Sequence, residues 1–176
     1  MKTEQEIFEI LKGKFGDDIL EFVSDKPIEK YIVVSPGSLR KVSEFIRYND
    51  DLFFDSLMVL SGVDDANGEK VTSEDGSFTY KGGTLSVYYH LHSMKYNNKI
   101  TLKVSVPKDN PEVPSVMDIW SCADWHEREA YDLLGIIFTG HPNLIRILMP
   151  YDWEAGHPLR KDYKNPEFYQ GMKVPY

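Results

Sequence analysis

The sequence predicts an α+β domain: a two-layer core of helices on a mixed sheet, followed by an extended tail rich in proline and aromatic residues. Three patterns carry this prediction. Leu85, Val87, Tyr89 and Leu91 alternate with polar partners, as do Ile100, Leu102, Val104 and Val106, and a period of two marks strands with one buried face. Other segments repeat apolar residues at helical spacing. From position 141 onward, Pro142, Pro150, Pro158, Pro166 and Pro175 forbid a long helix and pull the residues before them into extended geometry. The division that follows is a core over residues 1–140 and a tail over 141–176, whose aromatic content is expected to be ordered by lying on its own domain or on a partner.

Each element has its own signal. Thr3-x-x-Glu6 reads as a capping box, and Ile7, Phe8, Leu11 and Phe15 recur at helical spacing behind it. Ile28 to Val34 is a β-branched run closed by Ser35-Pro36-Gly37, hence a strand and a turn. Ser38 is placed to cap a second helix carrying Leu39, Val42, Phe45 and Ile46. Leu57 to Val63 suits a buried strand, with the polar loop Asp64–Gly68 behind it. Met94–Asn98 joins the two alternating strands as a hairpin loop. After Pro107–Pro114, Ser115 opens a helical stretch, in one or two pieces, that ends at Leu134 with Gly135 as its stop.

Composition bounds the function. The 176 residues can bury roughly 70 % of the surface that the unfolded chain exposes, enough for a proper core. The net charge of −8 argues against general nucleic-acid binding, which needs surplus Lys and Arg. That charge is uneven: residues 1–80 hold 9 basic and 17 acidic groups, and residues 141–176 hold 5 and 4. Cys122 is the single cysteine, so a disulfide framework or a self-contained iron–sulfur cluster is excluded. The N-terminus turns polar and acidic at once, so no secretory signal is expected there. The longest uncharged runs, Gly82–Met94 and Leu133–Ile145, have 13 residues each, short of the about 20 that a membrane span needs.

The densest charge within an apolar helix lies in Trp125–Gly135. Glu127, Tyr131 and Leu134 share one face; Trp125, Arg128, Glu129 and Asp132 share another. Glu129 and Asp132 are like charges three apart and need a cation, which Arg128, Arg146, Arg160 or Lys161 can supply. A zinc-protease motif fails because Ala130 stands where the second His is required. Three arrangements stay open: a charged network that glues this helix to the tail, a general acid–base pair with no substrate pocket otherwise marked, or a metal site built from His126, Glu127, Glu129 and Asp132. His90 and His92 share a strand face with no third ligand nearby in sequence. His141-Pro142 and His157-Pro158 suit either an anion or quinone headgroup, or backbone carbonyls in turns.

The block Glu127-Arg128-Glu129-x-x-Asp132-Leu133-Leu134-Gly135-Ile136, followed by Phe138-x-Gly140-His141-Pro142-x-Leu144-x-Arg146-Ile147-Leu148, resembles the signature of a known family. That family is the C subunits of NADH-quinone oxidoreductase, the 30 kDa subunits of respiratory complex I. Asp152-Trp153-Glu154-x-Gly156-His157-Pro158-Leu159-Arg160-Lys161-Asp162-Tyr163 is similar to the family's C-terminal segment. Ile145 departs from the basic residue usual at its place, and Ala155 extends the Trp-Glu-Gly step by one residue. The short tail also resembles the J subunit of the chloroplast and cyanobacterial NAD(P)H-quinone oxidoreductase. Related subunits occur in membrane-bound hydrogenases and in coenzyme F420-dependent oxidoreductases.

The resemblance implies a non-catalytic peripheral-arm subunit of a proton-translocating NAD(P)H:quinone oxidoreductase. It would be peripheral on the cytoplasmic face of the plasma membrane, or on the stromal or cytoplasmic face of a thylakoid membrane. No cofactor is expected in the chain itself; iron–sulfur clusters and quinone are expected in neighbours, and the implied partners are the D, B and I subunits. Trp153, Tyr163, Phe168 and Tyr169 are expected as apolar anchors, and Arg160 and Lys161 as ionic ones. Glu127, Arg128, Glu129, Asp132, His141, Arg146, His157 and Asp162 are expected in the network or at interfaces. Glu129, placed among apolar neighbours and tail cations, is expected to matter more for stability than Glu4. A stand-alone metal-dependent enzyme is the alternative from another class, and an anion-binding module using Arg160 and Lys161 is a third.

Overall fold

In a computed structural model, described here over residues 2–25, 29–72 and 78–174, the chain folds as helices on one face of a five-stranded mixed sheet. Helix α1, Glu4–Phe15, starts on the expected capping box: Glu6 N–H donates to Thr3 Oγ1 at 3.2 Å and Thr3 N–H donates to Glu6 Oε2 at 2.7 Å. It buries Ile7 and Leu11 and stacks Phe8 on Phe22, with ring centroids 5.4 Å apart. Strands β1, Ile19–Val23, and β2, Tyr31–Val34, pair antiparallel. The sequence pattern did not single out β1, and the expected strand from Ile28 begins at Tyr31, with Ile28 itself outside the described residues.

Helix α2, Leu39–Tyr48, follows a 3₁₀ turn at Pro36–Ser38. The expected Ser38 cap does not form. The turn already holds Ser38 at φ −107°, ψ −5°, near-helical geometry that turns its hydroxyl away from the helix N–H groups. Strand β3, Ser56–Asp64, lies at one edge of the sheet. The buried strand expected over Leu57–Val63 is therefore only half buried. Leu57 and Leu60 enter the core, whereas Met58, Val59 and Val63 are exposed. Strands β4, Glu69–Thr72, and β5, Phe78–Lys81, form a separate two-stranded ribbon.

The hairpin of β6, Thr84–Ser93, and β7, Asn98–Pro107, forms the middle of the sheet, and β7 runs parallel to β2, which gives the order β1-β2-β7-β6-β3. Its register sets Leu85 against Val106, Val87 against Val104, Tyr89 against Leu102 and Leu91 against Ile100, all buried. These cross-strand pairs are the core rungs that the alternation predicted. Strand β8, Glu112–Pro114, pairs parallel with β9, Ile137–Thr139. Between them lies α3, Ala123–Leu134. The helix expected from Ser115 starts only at Ala123; residues 115–122 fold into turns in which Ile119 and Trp120 N–H both bond the Val116 carbonyl. The expected end holds, since Gly135 is left-handed at φ +75°.

Ala130 and Leu134 of α3 pack on Gly62 of β3; an added Cβ there would stand 2.6 Å from Leu134 Cδ1. Gly62 pairs with Val87, so α3 lies on the same sheet face as the core rungs. Beyond β9 the chain runs without long elements to the small hairpin β10, Phe168–Tyr169, and β11, Met172–Lys173. Pro175 and Tyr176 lie outside the described residues.

Candidate functional site

A helix ends with four carbonyls that lack intrahelical partners, and a buried end must find them elsewhere. At α3 these are Tyr131, Asp132, Leu133 and Leu134. Gly135 N–H donates to the Tyr131 carbonyl at 2.8 Å and Leu159 N–H to that of Leu133 at 2.9 Å. His157 Nδ1–H donates to the Asp132 carbonyl at 2.9 Å, and Arg160 Nε to that of Leu134 at 2.6 Å. Residues 157–160 thus form a strap that closes the helix and sets the Arg160 guanidinium at the negative end of its dipole. Gly135 is required here sterically as well as conformationally, because a Cβ would stand 2.5 Å from His157 Nε2 and 2.8 Å from Arg160 Nη2. Burial, joined by the charges of Arg160 and Arg146, holds the His157 imidazole below its ordinary pKa despite the bond to Asp132.

The side chain of Asp132 extends the strap upstream to residues 146–149. Its Oδ2 accepts the N–H groups of Ile147, Leu148 and Met149 at 3.0, 2.7 and 2.9 Å, while Oδ1 accepts Arg146 Nη1 at 2.8 Å. Burial opposes its ionisation, but the N–H groups of Met149 and Leu148, the Arg146 guanidinium and the Ile147 N–H outweigh it and hold the carboxyl below the usual range. Arg128, one turn before Asp132, stacks its guanidinium 4.8 Å from the Trp125 ring centroid and donates from Nε to the Ile145 carbonyl at 3.4 Å. The contact at position 145 runs through the backbone, which the isoleucine supplies as well as a basic residue would.

Two further groups complete the attachment. Lys108 Nζ, 8 % exposed as a residue, lies 2.8 Å from Asp64 Oδ2 and 3.1 Å from Asp162 Oδ1, and Asp64 Oδ2 also accepts Lys161 N–H at 3.0 Å. Upstream, the wholly buried Glu127 accepts Ser115 Oγ–H at 2.6 Å and Val116 N–H at 2.8 Å. The His141 ring is packed beside it, with Nε2 at 3.2 Å from Asp124 Oδ1 and 4.0 Å from Glu127 Oε2. Burial pushes the Glu127 carboxyl up to about 7, against the pull of Ser115 and Val116.

The geometry therefore gathers Arg128, Asp132, Arg146, His157 and Arg160 at the end of α3, pairs Glu127 with His141, and brings Asp162 to Lys108. Glu129 is the exception among the expected network residues: it is exposed and makes no ion pair among the described residues, lying beside Ala130 and Leu133 at a concavity between α3 and the edge strand β3. Lys161 reaches Asp64 through its backbone N–H. Trp153 and Tyr169 pack together with ring centroids 5.3 Å apart, and Tyr169 Oη–H donates to Asp152 Oδ1 at 2.7 Å. Tyr163 is half-buried, whereas Phe168 is exposed. Sequence patterns did not mark Asp64, Lys108 or Ser115 as members of this network, since each stands in a loop or at a strand end without periodic neighbours. The metal site considered for His126, Glu127, Glu129 and Asp132 does not assemble: these side chains diverge, and no group of three potential ligands comes together among the described residues.

Fold and site define a class: an α+β domain whose charged helix ties down a C-terminal strap. Over residues 32–169 the chain matches the family model described as respiratory-chain NADH dehydrogenase, 30 Kd subunit. It is 41 % identical over 170 residues to the C subunit of NADH-quinone oxidoreductase from Chloroherpeton thalassium, covering 96 % of this chain and 64 % of that one. The C subunit from Chlorobium phaeobacteroides is 38 % identical over 170 residues, 93 % of its length. Among solved structures, the trypsin-resistant fragment (1-134) of Nqo5 superposes with a TM-score of 0.58 at 25 % identity, covering 80 % of this chain and 98 % of the fragment. A chain of the archaeal membrane-bound sulfane sulfur reductase shares the fold at a TM-score of 0.55 and 18 % identity, over 91 % of this chain and 85 % of its own. The chain belongs to the 30 Kd subunit family of respiratory-chain NADH dehydrogenase.

Proposed function

We propose that the chain is a non-catalytic scaffold in the peripheral arm of a proton-translocating NADH:quinone oxidoreductase. In this reading it is the C subunit and docks on the D, B and I subunits near the cytoplasmic face of the membrane. One observation carries the proposal: Arg128 and Asp132 of the signature helix are spent on internal bonds to the strap, while the strap's apolar residues face outward. Tyr151 is 94 % exposed, and Ile145, Leu148, Leu159 and Phe168 are each more than half exposed, beside Trp125 on α3. Apolar and aromatic side chains held outward on a rigidly tied segment are what a protein–protein interface uses as anchors. With one cysteine in the chain, iron–sulfur clusters belong to its neighbours, and the quinone site is assigned to them as well. No helix among the described residues is long and apolar enough to cross a membrane, so attachment to one runs through partners.

Affinity capture of the chain from gently solubilised membranes tests this. The expected result is recovery of the cluster-bearing subunits together with a membrane arm in stoichiometric amounts. Recovery of the chain as a lone monomer would overturn it.

A further inference from the structure

Glu127 and His141 are left over from the clamp at the end of α3: both side chains are wholly buried, and neither is needed to close the helix. Asn143 N–H donates to His141 Nδ1 at 3.1 Å, so Nδ1 carries no proton and the ring is the neutral Nε2–H tautomer. That N–H faces two carboxyls, Asp124 Oδ1 and Glu127 Oε2, and His141 Nε2 and Asp124 Oδ1 both lack a well-formed hydrogen bond. Among the described residues, the charges that act most strongly on Glu127 are the carboxylates of Asp124 and Asp118. From the segment before α3, Asp118 pairs with Arg40 of α2, which also holds Glu44 at 3.1 Å. From β6, the buried Tyr89 hydroxyl has no partner among the described residues, and burial together with the Glu127 charge keeps it protonated. The wholly buried Glu127 carboxylate and the Asp124 carboxylate, whose side chain is 33 % exposed but whose Oδ1 is buried, repel one another when both face one neutral imidazole N–H.

Either charge state of Glu127 fits its 2.6 Å bond to Ser115. An ionised carboxylate accepts the Ser115 hydroxyl proton, and a protonated carboxyl donates to the same oxygen after the hydroxyl rotates. We propose that Glu127, Asp124 and His141 form a proton-linked latch at the root of the strap, closed while Glu127 holds a proton and loosened when that proton passes to solvent. The site lies where the chain leaves β9 through Gly140, at φ +83°, so it couples α3 to the start of the outward-facing segment. A protonated Glu127 leaves Asp124 alone to take the His141 N–H. A deprotonated one competes for it and strains the Asn143–His141 bond that seats the ring. The latch requires nothing of the partners proposed above.

The test is NMR on the full chain. The Glu127 side-chain carbon, assigned by its absence in Glu127→Gln, is followed between about pH 5.5 and 8.5, alongside Asn143 amide exchange corrected for the intrinsic pH dependence. The expected result is a Glu127 titration near neutrality with a roughly tenfold loss of Asn143 protection across it. Protection in Glu127→Gln should stay flat, and Asp124→Asn should move the Glu127 midpoint to lower pH. A carboxyl ionised throughout the range would overturn the latch, as would a Glu127→Gln protein that keeps the wild-type pH profile. Should Glu127→Gln fail to fold, an unmoved midpoint in Asp124→Asn overturns it equally.

Discussion

Four donors converge on the Asp132 carboxylate, three of them consecutive backbone N–H groups of the strap. Removing it leaves Arg146 without its counter-charge and three N–H groups without an acceptor. We expect Asp132→Ala to cost about 3–5 kcal/mol in urea unfolding, the range for breaking a buried pair from one side. Glu129→Gln, at an exposed position of the same helix that makes no ion pair among the described residues, should stay within about 0.5 kcal/mol of wild type. Ionisation splits the carboxyls by sign. Glu127 titrates near 7 in the fold and near 4.5 unfolded, so between these values the native state binds the extra proton. Its contribution is full below the lower value and falls as pH rises through the upper one, by about 3 kcal/mol in all. Asp132 and Asp64 are held low in the fold, so their contributions are full above the unfolded value and fade as pH falls through the folded one. Unfolding midpoints against pH should therefore peak in the mildly acidic range, and in Glu127→Gln the decline toward alkaline pH should disappear.

The elements differ in how far local signals reach. The capping box of α1 and the rungs of β6 and β7 were legible because each rests on contacts that are local or repeat with a fixed period. Gly135 was legible as a stop for α3, but its close approach to His157 and Arg160 depends on a segment more than 20 residues away. Strands β8 and β9 have three residues each and pair across an intervening helix, so neither shows a period. Glu127, Arg128 and Asp132 were identifiable as a polar set in an apolar helix; which of their neighbours faced inward was not, since the strap covers a side of α3 that sequence alone leaves open. The Gly135 contact yields a prediction at this scale. Gly135→Ala combines a left-handed backbone with a side chain against the strap and should cost roughly 2 kcal/mol or more by thermal or urea unfolding.

Across the molecule, acidic charge lies in residues 1–80, while residues 141–176 are close to balanced and carry exposed apolar side chains at Tyr151, Leu159 and Phe168. The clamp bonds reach as far as Tyr163, whose N–H bonds the Arg160 carbonyl. The segment beyond it contributes the β10–β11 hairpin and the Trp153–Tyr169 contact at the outer end of the strap. The proposed function accordingly separates folding from docking in the chain: bonds at the end of α3 hold the strap, and its outer end is the part proposed to engage neighbours. The most direct measurement compares the full chain with a chain lacking residues 164–176, first by urea unfolding and then by affinity capture from solubilised membranes. Nearly unchanged unfolding midpoints are expected, together with a severalfold loss of the co-recovered subunits. Equal recovery of partners by the shortened chain, or melting of its core, would contradict this division of roles.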